Sequence, residues 1–387
     1  MRAVITASGL DGLLEELVRR PMETVSLGAG VRRSHGEIEL LLTTDPPPAS
    51  SVGPDVRAFR LAPTLRGIGH RHWMLYGSQR RGHRDRLELA FNPDGTFSAA
   101  WIEDGAVRAV DELFVVGPGL ERRVPGADLA VDERIVPRTG AYSRYAGALG
   151  GLGSLARLQA LDVAIVGDPA TGLVREMATA AVRAGVASVA LICGPDEATR
   201  SCALSLARHL RGCALETRVH ALAVERGSLE EASAMARSDV LLVAASDAAV
   251  RRSARLVSSA YLRPLVEVEV TPLDRARVAL HLPLSCYAAA GPQRDDSIQA
   301  SPPDARPRRA LERFAAAVAF QVVERLAMAE VDASHALVVE TTSDGRIQAV
   351  RTPAEQPLGV PTRCRACRSF AGAGDLALRE GPPGDLR

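Results

Sequence analysis

The stretch "AIVGDPATGLV", Ala164 to Val174, decides how this chain is read. The apolar run Val163–Val166 has the pattern of a short buried strand and stops at Gly167. A second glycine stands at Gly172, and helically spaced apolar residues follow it. A strand, a glycine-bounded turn and a helix start are the arrangement by which α/β folds receive phosphate. There the first helical N–H groups point at the ligand and the helix dipole favours an anion. The middle of this turn departs from that chemistry. Pro169 has no N–H, Ala170 adds a Cβ where close backbone approach is wanted, and Asp168 adds negative charge. The stretch points to a fold and leaves two readings of the turn open: an altered nucleotide loop, or an ordinary strand-to-helix turn.

Outward from this point the pattern repeats. "LVREMATAAVRAG" reads as a helix stopped by Gly185, "VASVALICG" as a second strand and "ATRSCALSLARHLRG" as a second helix. "ETRVHALAV", "SLEEASAMARS", "DVLLVAAS" and "DAAVRRSARLVSSAYL" continue the strand–helix alternation. "RPLVEVEVT" and "RARVALHLP" are strands, "LERFAAAVAFQVVERLAM" is an apolar helix, and "HALVVETTSDGRIQAVRT" is a hairpin around Asp344 and Gly345. Such alternation with short loops predicts a mostly parallel sheet covered on both faces, a Rossmann-like α/β fold. Before it, residues 1 to about 120 read as short strands and turns with one amphipathic helix at "LDGLLEELVRR", a smaller α+β unit. "PTLRGI" is a poor candidate for a buried strand. The expected organisation is a first domain at 1–120, a Gly/Pro-rich linker at 121–141, the α/β domain at 142–370 and a flexible tail at 371–387.

Bulk properties narrow the function classes. The chain has 387 residues, 47 % hydrophobic and 24 % charged, with a formal net charge of +1. That balance gives no electrostatic case for nucleic acid or an anionic membrane. No run of about 18 uncharged apolar residues predicts a membrane span, and the first residues do not read as a signal peptide. The expectation is a cytoplasmic protein whose Arg- and Ala-rich composition suits a GC-rich bacterial genome. The six cysteines, among them Cys286, Cys364 and Cys367, are expected as free thiols or metal ligands.

The ordered motifs of residues 142–370 resemble the ThiF/ubiquitin-activating-enzyme-like adenylyltransferases. "YSRYAGALGGLGSLARLQALDVAIVG" is similar to the family's Arg-containing turn, G-x-x-G, helix and first strand. "AVRAGVASVALI" and "SDVLLVAASDAAVRRSARLVSSAYLRPLVEVEV" are similar to later family segments, and "CRAC" resembles a zinc-binding Cys pair near the end of many members. Residues 1–120 resemble, more loosely, the JAB/MPN-type domain through "METVSLGAGVRRSHGEIELLL" and "NPDGTFSAAWIEDGAVRAVDELFVVGPGL".

The first resemblance implies ATP-dependent adenylation of the C-terminal carboxylate of a ubiquitin-like or sulfur-carrier protein, or of a peptide. It implies Mg²⁺ and a homodimer or a heterodimer with a ThiF-type partner. Residue by residue, Gly167, Asp168 and Gly172 would form the ATP loop, Asp196 would replace a ribose-binding acid, and Cys193 stands where the family has its first Asp. Asp247 matches the Mg-ATP aspartate and is equally a helix N-cap. Arg144 matches the Arg of the opening turn that reaches ATP, and Arg200 could replace an Arg on a segment that is shortened here. Cys364, Cys367 and Cys286 would be zinc ligands. The second resemblance implies a zinc site of Glu23, His70, His72 and Asp85, with Trp73 where the family has Pro. Loss of the central loop glycines sets an adenylyltransferase with a degraded ATP site beside an inactive binding or scaffold subunit for a carrier or ThiF-type partner. The same loss disfavours a Rossmann-type oxidoreductase.

Overall fold

The computed structural model describes residues 1–19, 25–34, 37–43, 57–65, 71–77, 86–91, 97–103, 105–124, 142–213, 216–244, 247–271, 275–283, 305–331, 335–341, 346–353, 371–375 and 377. The chain divides into two units: unit 1 comprises Met1–Val136, Ser259–Leu262 and Arg363–Arg387, and unit 2 comprises Pro137–Ser258 and Arg263–Thr362.

Unit 1 is built on one sheet. Its elements are β1 (Arg2–Thr6), α1 (Ala7–Arg19), β2 (Val25–Ser34), β3 (Glu37–Thr43), β4 (Arg57–Leu65), β5 (Arg71–Gly77), β6 (Arg86–Phe91), β7 (Phe97–Glu103), β8 (Ala106–Ala109), β9 (Glu112–Val116) and β10 (Leu120–Arg123). The strand order is β10-β9-β1-β3-β2-β4-β5-β6-β7-β8, with β1 parallel to both β3 and β9 and the remaining pairs antiparallel. Alternation along β1 and β3 sends Ala3, Ile5, Ile38, Leu40 and Leu42 into a core with Leu10 and Leu13 of α1. In the same strands Arg2 and Glu39 form an ion pair, and Glu39 also pairs with Arg32 at 2.9 Å. The Arg2 guanidinium stacks over Phe114 at 3.9 Å.

Three local expectations for unit 1 need correction. The segment expected as a linker from 121 begins inside β10, because Leu120–Arg123 pairs with β9. "PTLRGI" was expected to make a poor strand, yet Pro63 is paired opposite Trp73 in the β4–β5 ladder. At the expected tail, Ala373 and Ala377 are buried and Gly374 bridges Val31. Gly372 and Gly374 donate their N–H groups to Ser259 O (3.0 Å) and Ala260 O (2.9 Å).

Unit 2 carries the α/β fold expected from the alternation. Its elements are α2 (Ser143–Ala148), α3 (Leu152–Gln159), β11 (Asp162–Gly167), α4 (Gly172–Ala184), β12 (Ser188–Cys193), α5 (Glu197–Cys213), β13 (Arg218–Ala223), α6 (Leu229–Ala236), β14 (Val240–Ala244), α7 (Ala248–Ala260), β15 (Leu265–Thr271), β16 (Arg275–His281), α8 (Ala305–Met328), β17 (His335–Thr341) and β18 (Ile347–Pro353). Strand order is β13-β12-β11-β14-β15-β16-β17-β18; the first five strands are parallel and the last three antiparallel. The parallel strands are near-continuous apolar runs because helices cover both faces: Val163, Ala164, Ile165, Val240, Leu241 and Leu242 are fully buried. Gly185 ends α4 at φ +78°, and the Tyr142 ring lies where a side chain at that position would go. A Ser-x-x-Glu box starts α6, with Ser228 Oγ accepting from Glu231 N (3.1 Å) and Glu231 accepting from Gly227 N (2.7 Å). Arg157 of α3 donates to Ala327 O at the end of α8 (2.6 Å), and Tyr145 of α2 hydrogen-bonds Glu324 of α8. Among the described residues, no helix is long and apolar enough to cross a membrane.

Candidate functional site

In an open parallel sheet, ligands bind beyond the C-terminal strand ends, where the strand order reverses direction. In unit 2 the chain steps from β11 outward to β12 and β13, then returns to the other side of β11 with β14. The candidate crevice therefore lies between the loops that follow β11 and β14. Asp168–Thr171 leaves the first and Asp247 ends the second. Asp196 follows β12, and Arg226 follows β13.

The loop after β11 is closed on itself. Asp168 Oδ1 accepts from Ala170 N (2.9 Å), and Asp168 O accepts from both Thr171 N (3.1 Å) and Thr171 Oγ1 (2.7 Å). Thr171 is the N-cap of α4, its hydroxyl accepting from Val174 N at 3.3 Å. The loop thus binds its own N–H donors, and Pro169 supplies none. Both retained glycines lie against a neighbour. A Cβ on Gly167 would stand 2.7 Å from Ala244 O and 2.9 Å from Val174 Cγ2, because β11 and β14 pair there. A Cβ on Gly172 would run into the carboxylate of Glu312 from α8.

Asp247 caps α7: its Oδ1 accepts from Ala249 N (2.8 Å), and its Oδ2 pairs with Arg226 Nη1 at 3.2 Å. The Ala249 hydrogen bond, then Arg226, holds its carboxyl below the ordinary range. Asp196 likewise caps α5 through Thr199 N (2.9 Å), which is the main cause of its lowered pKa. Cys193 ends β12 as a buried thiol that donates toward Leu222 O at 3.6 Å. Burial pushes this thiol up to about 11; Asp196 and Asp168 add to the rise and Arg226 opposes it. A thiol so shifted is a poor nucleophile at neutral pH. Burial likewise raises the pKa of Glu231, with Arg226 and the Gly227 hydrogen bond opposing.

Among the described residues, Arg226 pairs with Asp247 and acts on Asp196 and Cys193, while Asp168 acts on Cys193. Arg226 escaped the sequence reading; its one signal was its place just past a strand in a parallel sheet. Glu312 escaped it too, because "LERFAAAVAFQVVERLAM" reads as an apolar helix. Arg200 is exposed on α5, its N–H bonded to Asp196 O (2.9 Å). Arg144 stands in a helix, α2, and not in the expected turn.

The proposed metal ligands gain no support. Cys286, Cys364 and Cys367 lie outside the described residues, as do Glu23, His70 and Asp85; His72 lies in β5 opposite Thr64. Among the described residues no group of three or more His, Cys, Asp or Glu could hold a metal ion.

No family model matches the chain, and no curated protein matches it. Solved structures similar to it include E. coli MccB with ATP, at 15 % identity over 59 % of this chain and 75 % of that one, with a TM-score of 0.43. E. coli MccB with MccA is 14 % identical over 61 % of this chain and 76 % of that one, TM-score 0.43. PaaA is 12 % identical over 60 % of this chain and 87 % of that one, TM-score 0.43.

Proposed function

We propose that this chain is a ThiF-like binding subunit that does not adenylate, receiving a peptide, a ubiquitin-like or sulfur-carrier protein, or a ThiF-type partner. One observation carries the loss of adenylation: the loop after β11 uses its own N–H groups, with Ala170 N held by Asp168 Oδ1 and Thr171 N by Asp168 O. Triphosphate binding needs such donors aimed outward, together with cationic groups that neutralise charge as pyrophosphate leaves. Here the loop presents the Asp168 carboxylate instead. On this reading the loop is not built to hold a triphosphate. The class of partner rests on the sequence resemblance; MccB, whose structures hold MccA, is one protein of related build.

A second reading is an active adenylyltransferase with an altered site. It is favoured by Asp247, which stands at the switch point of the sheet with Arg226 beside it. The test is Mg-ATP–pyrophosphate exchange in the presence of candidate peptides and carriers. The binding-subunit reading expects no exchange with any of them, while at least one still binds. Exchange that disappears in Asp247→Ala would establish the second reading and remove the first.

A further inference from the structure

The fold brings a buried carboxylate from far along the chain to the helix start that a nucleotide would use. Glu312 lies on α8, well after the loop in sequence, and is 9 % exposed. Its Oε2 occupies the space in which a side chain at Gly172 would begin. Gly172 is the first residue of α4, and α4 carries no acidic residue in its first turn. A helix start is a region of partial positive charge, and carboxylates placed there are favourable. Helices α5 and α6 carry an acidic residue in their own first turn; beside the start of α4 the carboxylate comes from α8. The neighbouring residue on α8 reinforces the placement, since Arg313 Nε pairs with Glu176 Oε1 of α4 at 3.0 Å.

We infer that Glu312 is the resident anion of the α4 N-terminus, filling from within the place where a nucleotide-binding version of this fold holds phosphate. This rests on the reading of the crevice as non-adenylating and supplies a cause for it separate from the loop. Asp168 and Pro169 withdraw loop donors, whereas Glu312 neutralises the helix start itself. At Gly172 a Cβ would meet this carboxylate, so the place beside the first residue of α4 is taken by Glu312.

Two variants test this. Glu312→Gln keeps the bulk and removes the charge. Loss of a carboxylate–helix interaction worth about 0.3–1 kcal/mol corresponds to a two- to fivefold change in a local equilibrium. Amide exchange at the start of α4, residues 173–176, should accelerate about two- to fivefold in this variant, with α5 and α7 unchanged. Glu312→Ala opens space as well. It should gain a saturable stabilisation by inorganic phosphate, measured against chloride at equal ionic strength, that wild type lacks. Unchanged exchange in Glu312→Gln overturns the inference. So does a phosphate response in wild type equal to that of Glu312→Ala, or none in a folded Glu312→Ala. Pyrophosphate exchange by wild type would instead strike at the non-adenylating reading, so the two failures are told apart.

Discussion

Glu267 and the aspartates of the crevice are all carboxylates of the α/β unit, yet they do different physical jobs. Glu267 of β15 is buried, with Oε2 bonded by Arg255 of α7 (2.7 and 3.0 Å) and 3.2 Å from His281 Nε2 of β16. Arg251 adds ion pairs to Glu267 (3.6 Å) and to Glu269 (3.0 Å). Burial alone would raise the Glu267 pKa; His281 and Arg255 outweigh it and hold the group at about 2. This cluster ties a helix to two strands and commits its charges to the fold. Asp168, Asp196 and Asp247 sit at loop ends and close local hydrogen bonds instead. The second group occupies the place where this fold's chemistry is normally done. Asp196 and Asp247 cap α5 and α7, and Asp168 closes its own turn.

The comparison can be broken first at Glu267. Removing one partner of a buried ion pair leaves its charges uncompensated, so Glu267→Ala should destabilise by about 3–5 kcal/mol. Urea unfolding followed by circular dichroism would measure it; a loss well under 1 kcal/mol would place Glu267 with the crevice aspartates. The pH dependence has a definite sign. A carboxylate whose folded pKa is depressed adds stability above its unfolded value, near 4.5, and loses it as pH falls toward about 2. Acid unfolding should therefore deepen between these values in wild type and flatten there in Glu267→Gln.

Gly172 sharpens the contrast at intermediate size. Gly172→Ala should change stability by no more than about 1 kcal/mol, because the Glu312 carboxylate that a Cβ would meet is the movable end of a flexible side chain and alanine favours the helical backbone. Combined with Glu312→Ala it should act non-additively, because the two side chains meet, which a double-mutant cycle measures. Strict additivity would mean that a side chain at 172 and the Glu312 carboxylate do not meet. Thr171→Ala removes the α4 cap and should cost about 1 kcal/mol by the same unfolding assay. Asp168→Asn should have the smallest effect, within about 0.5 kcal/mol, because the amide oxygen can still accept from Ala170 N.

What could be read in the sequence follows the range of the interactions. The alternation from β11 to β16 was legible because strand and helix periods are local, as was the Gly185 stop, which a left-handed backbone requires. The hairpin of β17 and β18 pairs Thr341 with Ile347 across the expected turn. Features set by distant partners were not legible. Insertion of β1 between β3 and β9, and the bridge of Gly374 to Val31, join segments far apart in the chain. In the crevice, Asp247 was visible both as a cap and as the Mg-ATP aspartate of the resemblance, and the fold shows it capping α7. Arg226 and Glu312 had no motif of their own; their meaning comes only from which strand end and which helix start they reach.

The most direct test of the central claim is calorimetric titration of Mg-ATP into the full-length wild-type protein, with Asp247→Ala as control. An absence of saturable heat up to millimolar nucleotide, the same in both proteins, is the predicted result. Saturable micromolar binding that is lost in Asp247→Ala would contradict it, and would make the crevice an ATP site after all.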